Sequence, residues 1–414
     1  MTLANRRVLY ISYNGMLDPL GQSQVIPYLK ELSGAGIRFT LLSFEGPRAY
    51  TSEGRERCEQ LRRELAACEI DWHFLRYHKR PSLPATSYDV MAGIRYGSRL
   101  VKSKQIEVVH ARNQIPATIA LALKRRFGLR MIFDVRGLMA EEYVDANHWK
   151  KGNVPYRLTK AMESRALQAA DGVVTLTEKI WPEIKDWKGL RDRDVIHEVV
   201  PCCADLDRFR FLQSERDRVR SELGLQDRFV LVYSGSIGGW YLTDKTADFF
   251  VALLKRKPNG HFLWLTGGDK ALIEKLMSDR GVNPDQFTVR NVRTAEVPGY
   301  LSAADVGIAF YKPTFSRLAT SPVKVSEYLA CGLPVIVNAG VGDSDDFVAA
   351  QKVGAVVKDF NEGEYDRTLT TIETLLAEGI RDRSRTAAET YFDVKSVGLE
   401  RYSRLYEKVF NLTN

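Results

Sequence analysis

The sequence predicts an α/β protein made of two doubly wound, Rossmann-like domains in tandem, and three observations carry that expectation. Short β-branched runs alternate with stretches of helical periodicity, the pattern of βαβ units around a parallel sheet covered on both faces. The alternation restarts after about residue 205, beyond a polar interruption. A chain of 414 residues, 44% hydrophobic and 27% charged, is also longer than one ordinary core takes up.

The first series reads VLYISY, a helix over Val25 to Leu32, FTLLSF, a basic helix, DWHFLRY, VVHAR, MIFDVRG and GVVTLT, with helical stretches between the later runs. The second reads FVLVYSGS, FLWLTGG, FTVRNV, VGIAFYK, PVIVNAG and GAVVKDF. Between them, VVPCCADLDRFRF turns from an apolar strand to alternating charges before a helix near Ser214 to Leu223, as a domain join does. The expected division is 1–204, 205–392 and a terminal helix over 393–414. On that helix Leu399, Tyr402, Tyr406 and Val409 form one stripe by steps of three and four, with Leu405 at its edge, so it needs a surface to cover.

No solenoid repeat and no low-complexity segment is found, which argues against an array or a disordered interaction protein. The net charge of +8 suits anionic partners such as nucleotide diphosphates, acidic headgroups or nucleic acid, but no nucleic-acid recognition motif is present. The five cysteines, Cys58, Cys68, Cys202, Cys203 and Cys331, are odd in number and form no CxxC pair, so reduced structural thiols are expected and no metal site. With no signal-like start and no long apolar run, the expected location is cytoplasmic, or peripheral on the cytoplasmic face of a membrane. HKRPSLPATSYDVMAGIRYGSRLVKSK and LKRRFGLR mix basic and apolar residues and read either as contact with an anionic membrane or as solvated helix faces.

The segment that carries chemistry is SPVKVSEYLACGLPVI, residues 321 to 336. Ser321 is placed to cap a helix, Pro322 suits its first position, and Gly332 and Pro334 end it. Lys324, Glu327 and Cys331 share one face, with Val325, Tyr328 and Leu329 towards the other. Such an arrangement offers a diphosphate the free N–H groups and positive end of the helix, a full charge from Lys324, and a carboxylate, Glu327, for ribose hydroxyls. The alternative is a surface helix on which Lys324 and Glu327 pair with each other.

ADVGIAFYKPTFSRLATSPVKVSEYLACGLPVIVNAG resembles the donor-binding core of the retaining GT-B glycosyltransferases of family 4. The likeness extends to VLYISY with Gly21, to LTGGD, to YLSAADVGIAFY and to the C-terminal helix. It implies two facing Rossmann-like domains, with the terminal helix crossing back to the first. It also implies a UDP- or GDP-sugar donor, a saccharide or lipid-linked acceptor, no metal or other cofactor, and retention of configuration by a front-face displacement. Glu327 is assigned by resemblance to the ribose, and Ser321, Pro322, Val323 and Lys324 to the diphosphate. Gly21 and Gln22 fall on the phosphate-side loop of the first domain, and Gly235, Ser236 and Gly267 on the nucleotide turns of the second.

Three departures from that family's pattern matter. Ala319 stands where many relatives have a sugar-contacting glutamate, leaving that contact to Thr320 or Arg317. YSGSIGGWYLTDK lacks the usual Arg and Lys after the first strand of the second domain, so Lys324 and Arg317 are expected to supply the positive charge. FDVRG has Arg136 where a His is common, and a guanidinium does not serve as a base. Asp134, Glu141 and Glu142 lie nearby to orient it or take the acceptor's proton, unless they are plain loop charges. The expected catalytic set is Lys324, Arg136, His110 and Asp134, with Glu141 and Glu142 towards the acceptor. His110, at a strand end, contacts substrate or is a satisfied structural histidine. DSDD at 343–346 reads as a solvated turn rather than a metal site. A GT-B sugar-nucleotide epimerase and a nucleotide-sugar-binding scaffold without turnover are the competing functions.

Overall fold

The computed structural model describes residues 3–191 and 193–412. The chain divides into two compact units, Met1–Pro201 with Val394–Asn414, and Cys202–Asp393. Residues 202–204 go with the second unit for a local reason: the Cys202 N–H donates to Ser321 Oγ at 3.0 Å and the Ala204 N–H to the Phe392 carbonyl at 2.8 Å.

The sheet of the first unit holds β1 (Arg7–Ser12), β2 (Arg38–Glu45), β3 (Ile70–Arg76), β4 (Val108–Arg112), β5 (Arg130–Asp134), β6 (Gly172–Thr175) and β7 (Ile196–Val199), in the order β3-β2-β1-β4-β5-β6-β7. The second unit holds β8 (Phe229–Ser234), β9 (Gly260–Leu265), β10 (Phe287–Arg290), β11 (Val306–Ala309), β12 (Val335–Asn338) and β13 (Gly354–Val357), ordered β10-β9-β8-β11-β12-β13. All pairings in both sheets are parallel. Helices cover both faces of such sheets, so central strands read as continuous apolar runs; β4, β9 and β12 are buried at every position. Strand order reverses between β1 and β4 and between β8 and β11, and a doubly wound sheet offers its crevice at the carboxyl ends of the strands flanking such a reversal.

Where one helix over Val25 to Leu32 was expected, there are two, Pro19–Gln24 and Ile26–Gly34. Val25 lies between them at φ −124°, ψ −62°, two residues before Pro27, whose ring and missing N–H do not continue the preceding turn. The terminal helix, Leu399–Asn411, buries Tyr402, Leu405, Tyr406 and Val409. Leu405 is fully covered and Leu399 only partly, so the apolar stripe is centred one residue round from the expected line. It packs on β5, β7 and the helix Ile26–Gly34. Gly172 makes the approach possible: a Cβ there would stand 2.9 Å from Val409 Cγ2 and 3.1 Å from Leu405 Cδ1.

Beneath this helix lies a buried charged cluster that corrects two expectations. His110 is not at a surface a substrate reaches; it is 1% exposed, its Nδ1 is 2.7 Å from the Tyr406 hydroxyl, and its ring packs against Tyr10, Tyr402 and Tyr406. Burial lowers its pKa, although Asp134, 3.6 Å from Nε2, opposes that. Asp134 is wholly buried, accepts the Tyr402 hydroxyl at 2.9 Å and faces Arg136 at 3.7 Å and Arg112 at 3.9 Å. Burial alone would raise its pKa, but Arg136, His110 and Arg112 overcome that and hold it at about 2. Both side chains therefore anchor the terminal helix to the ends of β4 and β5, and neither is placed to exchange protons with a substrate. Arg112 Nε and Nη1, also buried, have no hydrogen-bond partner.

A carboxyl whose folded pKa is depressed stabilises above its unfolded pKa of about 3.9 and loses that contribution as pH falls through the folded value. Asp134→Asn is expected to cost about 2 kcal/mol at neutral pH. Denaturant unfolding at stepped pH should show the difference from the unsubstituted protein shrinking between about pH 4 and pH 2.

Candidate functional site

In the second unit, the turn after β8 is built for close approach. Gly235 has φ 130°, and Gly238 and Gly239 have φ 72° and 61°, conformations open to glycine at little cost. The two later glycines fold the loop back over the end of β11, where Tyr241 bridges Tyr311, Leu242 N–H donates to the Phe310 carbonyl at 3.2 Å and Lys312 N–H to the Trp240 carbonyl at 2.9 Å. Asn338 fixes the other side, accepting the Tyr311 N–H at 2.8 Å and donating to its carbonyl at 3.0 Å.

The helix Val323–Ala330 points its first turn at this loop. Ser321 is not its cap, as was expected: Pro322 holds that position without a side-chain bond, because the Ser321 hydroxyl is taken by Cys202. The helix is held from behind by Tyr328, whose hydroxyl accepts the Ser234 N–H at 2.7 Å. Its ring lies where a Cβ on Gly307 would stand, 2.3 Å from Cδ2.

Lys324 does not pair with Glu327 at the surface. It is 6% exposed, and its Nζ lies 3.9, 4.6 and 5.4 Å from the ring centres of Tyr233, Tyr241 and Tyr311, with no hydrogen-bond acceptor. Cation–π attraction is worth about 0.5–2 kcal/mol, whereas desolvating an ammonium costs several kcal/mol. Burial accordingly pushes its pKa down to about 7, Glu327 partly offsetting this. Gly235 is exposed, and a Cβ on it would stand 3.2 Å from Nζ, so glycine keeps the approach to the ammonium open. Half-buried Glu327 is pushed up to about 7 by desolvation, against Arg208 and Lys324.

Arg317, 4% exposed, sits in the short helix Phe315–Ala319 with its guanidinium 5.0 Å from the Trp240 ring centre, near enough to Tyr311 to favour that phenol's ionised form. Arg317 and Lys324 thus flank Tyr311 together. Thr320 closes that helix through its N–H to the Arg317 carbonyl at 3.0 Å. Ser236 is exposed and offers its carbonyl to the Tyr233 hydroxyl; Gly267 is exposed beyond β9, beside Asn291. Sequence reasoning did not single out the three tyrosines or Arg208. Their spacing from residue 208 to 311 carries no local pattern, although YSGS, GGWY and AFYK each end a strand or turn at the reversal point.

In the first unit, the loop after β1 is pinned by groups the sequence did not flag. Buried Glu45 accepts the Met16 N–H and the Ser43 hydroxyl, each at 2.7 Å. Gln22 Nε2 donates to the Met16 carbonyl at 2.6 Å. Gly21 needs no phosphate to explain it, because a Cβ would stand 2.3 Å from the Gly15 carbonyl oxygen. Arg136 donates to Gln24 Oε1 at 3.3 Å. Glu141 is paired with Lys160 at 3.0 Å, which engages it as a structural ion pair, while Glu142 lies against Gly137, where a Cβ would stand 2.6 Å from its Oε1. Asp343 and Ser344 open the helix Ser344–Gln351, not a solvated turn, and Asp345 accepts the Gly340 N–H at 2.9 Å. Among the described residues no group of three or more His, Cys, Asp or Glu could hold a metal ion, and no helix is long and apolar enough to cross a membrane. The five cysteines form no disulfide.

Comparison with known proteins agrees with this architecture. Residues 25–203 match the glycosyl transferase 4-like domain, and residues 314–379 the glucosyltransferase 3-like, C-terminal domain. The chain is 29% identical over 191 residues to a GDP-mannose-dependent alpha-(1-6)-phosphatidylinositol monomannoside mannosyltransferase of Mycolicibacterium smegmatis, 44% of this chain and 47% of that protein. It is 22% identical over 257 residues to the alpha-monoglucosyldiacylglycerol synthase of Acholeplasma laidlawii, 59% of this chain and 61% of that one. The chain thus spans about half the length of these curated relatives. Among solved structures, Anabaena HepE in complex with UDP-glucose superposes with a TM-score of 0.67 at 13% identity, covering 97% of this chain and 99% of that one. One domain of glycosyltransferase type is thus matched in each unit, and both units have the Rossmann-like fold of GT-B proteins.

Proposed function

We propose that the chain is a retaining, metal-independent glycosyltransferase. It moves a hexose-type sugar from a UDP- or GDP-sugar to a saccharide or lipid-linked acceptor in polysaccharide or glycolipid biosynthesis. The observation that carries this reading is the Lys324 ammonium, buried beside Gly235 and the first turn of Val323–Ala330 with no acceptor for its three donors. A diphosphate supplies acceptors to the ammonium and to the helix N–H groups at once. Glu327 faces the ribose hydroxyls from the next turn of that helix. Relatives named for lipid acceptors and alpha products, and a structural neighbour in complex with UDP-glucose, support the substrate class and the stereochemistry.

In the proposed step, the sugar C1–O bond breaks with its electron pair leaving on the nucleotide diphosphate. The acceptor oxygen bonds C1 on the same face, and its proton passes to the departing phosphate. The protein holds the reactants and stabilises the charge that develops on the leaving oxygen. Lys324 and Arg317 are the cations for that task, in place of those that relatives carry after the first strand of this domain. Arg136 is the group of the first unit best suited to an anionic acceptor.

Lys324→Ala is expected to slow transfer by about 10²–10³-fold. Its melting temperature should hold or rise, because the substitution removes an unsatisfied buried charge. Unchanged turnover in a coupled nucleotide-release assay would remove Lys324 from the mechanism. Gly235→Ala should weaken donor binding and lower stability by about 1–2 kcal/mol, from strain at φ 130°, as read by calorimetry and denaturation. Donor affinity should fall as pH rises through about 7, where Lys324 loses its proton in the free protein; thermal shift with UDP- and GDP-sugars across pH identifies both the base and this dependence.

A further inference from the structure

The helix Ser82–Lys104 carries a face that neither the fold nor the donor site uses. Pro84, Tyr88, Met91, Arg95, Arg99 and Lys102 follow one another at steps of four, three, four, four and three, and all are exposed, so they form a single stripe along the helix. Tyr88 is 63% and Met91 65% exposed. The opposite face is spoken for: Gly93 meets Ile119 and Phe44, and Gly97 meets Leu123. The one acidic residue of the helix, Asp89, is turned inward, 1% exposed, and bound to His78 Nδ1 at 2.6 Å and the Tyr13 hydroxyl at 2.8 Å. The outer face therefore carries no acidic side chain; besides the apolar and cationic residues it exposes Ser87.

The patch continues beyond the helix. His78 packs edge-on against Tyr88, and Tyr143 lies close enough to Tyr77 to raise the pKa of its phenol, after burial. Tyr143 is itself exposed, as are Val154 and Leu158 farther along the chain. Of the eleven exposed large apolar side chains among the described residues, six belong to these two stretches, far from an even scatter. Lys79 and Arg80, just before the helix in sequence, are exposed, as are Lys150, Lys151 and Arg157 of the second stretch.

We infer that this face of the first unit docks on an anionic phospholipid surface, the apolar side chains entering the headgroup boundary and the cations meeting lipid phosphates. Charge complementarity selects the occupant. A second copy of the chain would set these cations against their own kind, whereas an acidic bilayer attracts all of them and accepts the apolar stripe as well.

The test is flotation of the full chain with vesicles of phosphatidylcholine alone or mixed with phosphatidylglycerol, at low and high salt. The paired variants are Arg95→Glu with Arg99→Glu, and Tyr88→Ser with Met91→Ser. Expected are flotation on the acidic vesicles only, release by salt, and a loss of about tenfold or more in each pair at an unchanged melting temperature. Equal flotation on neutral vesicles, no flotation on either, binding untouched by both pairs, or a wild-type dimer that both pairs abolish would each overturn the inference.

Discussion

The second unit is organised around one costly interaction, the burial of an ammonium to which no carboxylate or carbonyl hydrogen-bonds. Three tyrosine rings surround Lys324 Nζ and return part of the lost hydration, but no hydrogen bond is made. Proteins seldom leave such a group unless something else completes it. The surrounding features keep the position intact: positive-φ glycines fold the loop, Asn338 fixes Tyr311, and Tyr328 ties the helix to β8.

Topology explains why these groups meet. The reversal of strand order between β8 and β11 opens a crevice at their carboxyl ends, and Gly235, Tyr241, Tyr311 and the helix of Lys324 all issue from that edge. The first unit has the same kind of reversal between β1 and β4, yet spends its charged residues differently. Asp134 and His110 hold the terminal helix through Tyr402 and Tyr406, with Arg112 and Arg136 beside Asp134.

What could be read from the sequence was what has a short repeat. Apolar runs gave the strands of both sheets, and the three- and four-residue steps placed Lys324 and Glu327 together. The cage was not legible, since Tyr233 and Tyr241, from β8 and the turn after it, meet Tyr311 only when the turn after β11 comes alongside. Nor was the true task of His110, whose partners Tyr402 and Tyr406 lie nearly 300 residues away. Ser321 looked like a cap because local sequence cannot show that Cys202, 119 positions earlier, takes its hydroxyl. Departures from local expectation gather where long-range contacts override local preference.

The central claim is that Lys324 is the cation awaiting a diphosphate, and proton linkage tests it most directly. Calorimetric titration of UDP at mildly alkaline pH, repeated in buffers of different ionisation enthalpy, counts protons taken up on binding. The account predicts uptake approaching one proton by the unsubstituted protein and loss of that uptake, with weaker binding, in Lys324→Met. Equal affinity and equal proton uptake in the two would contradict it.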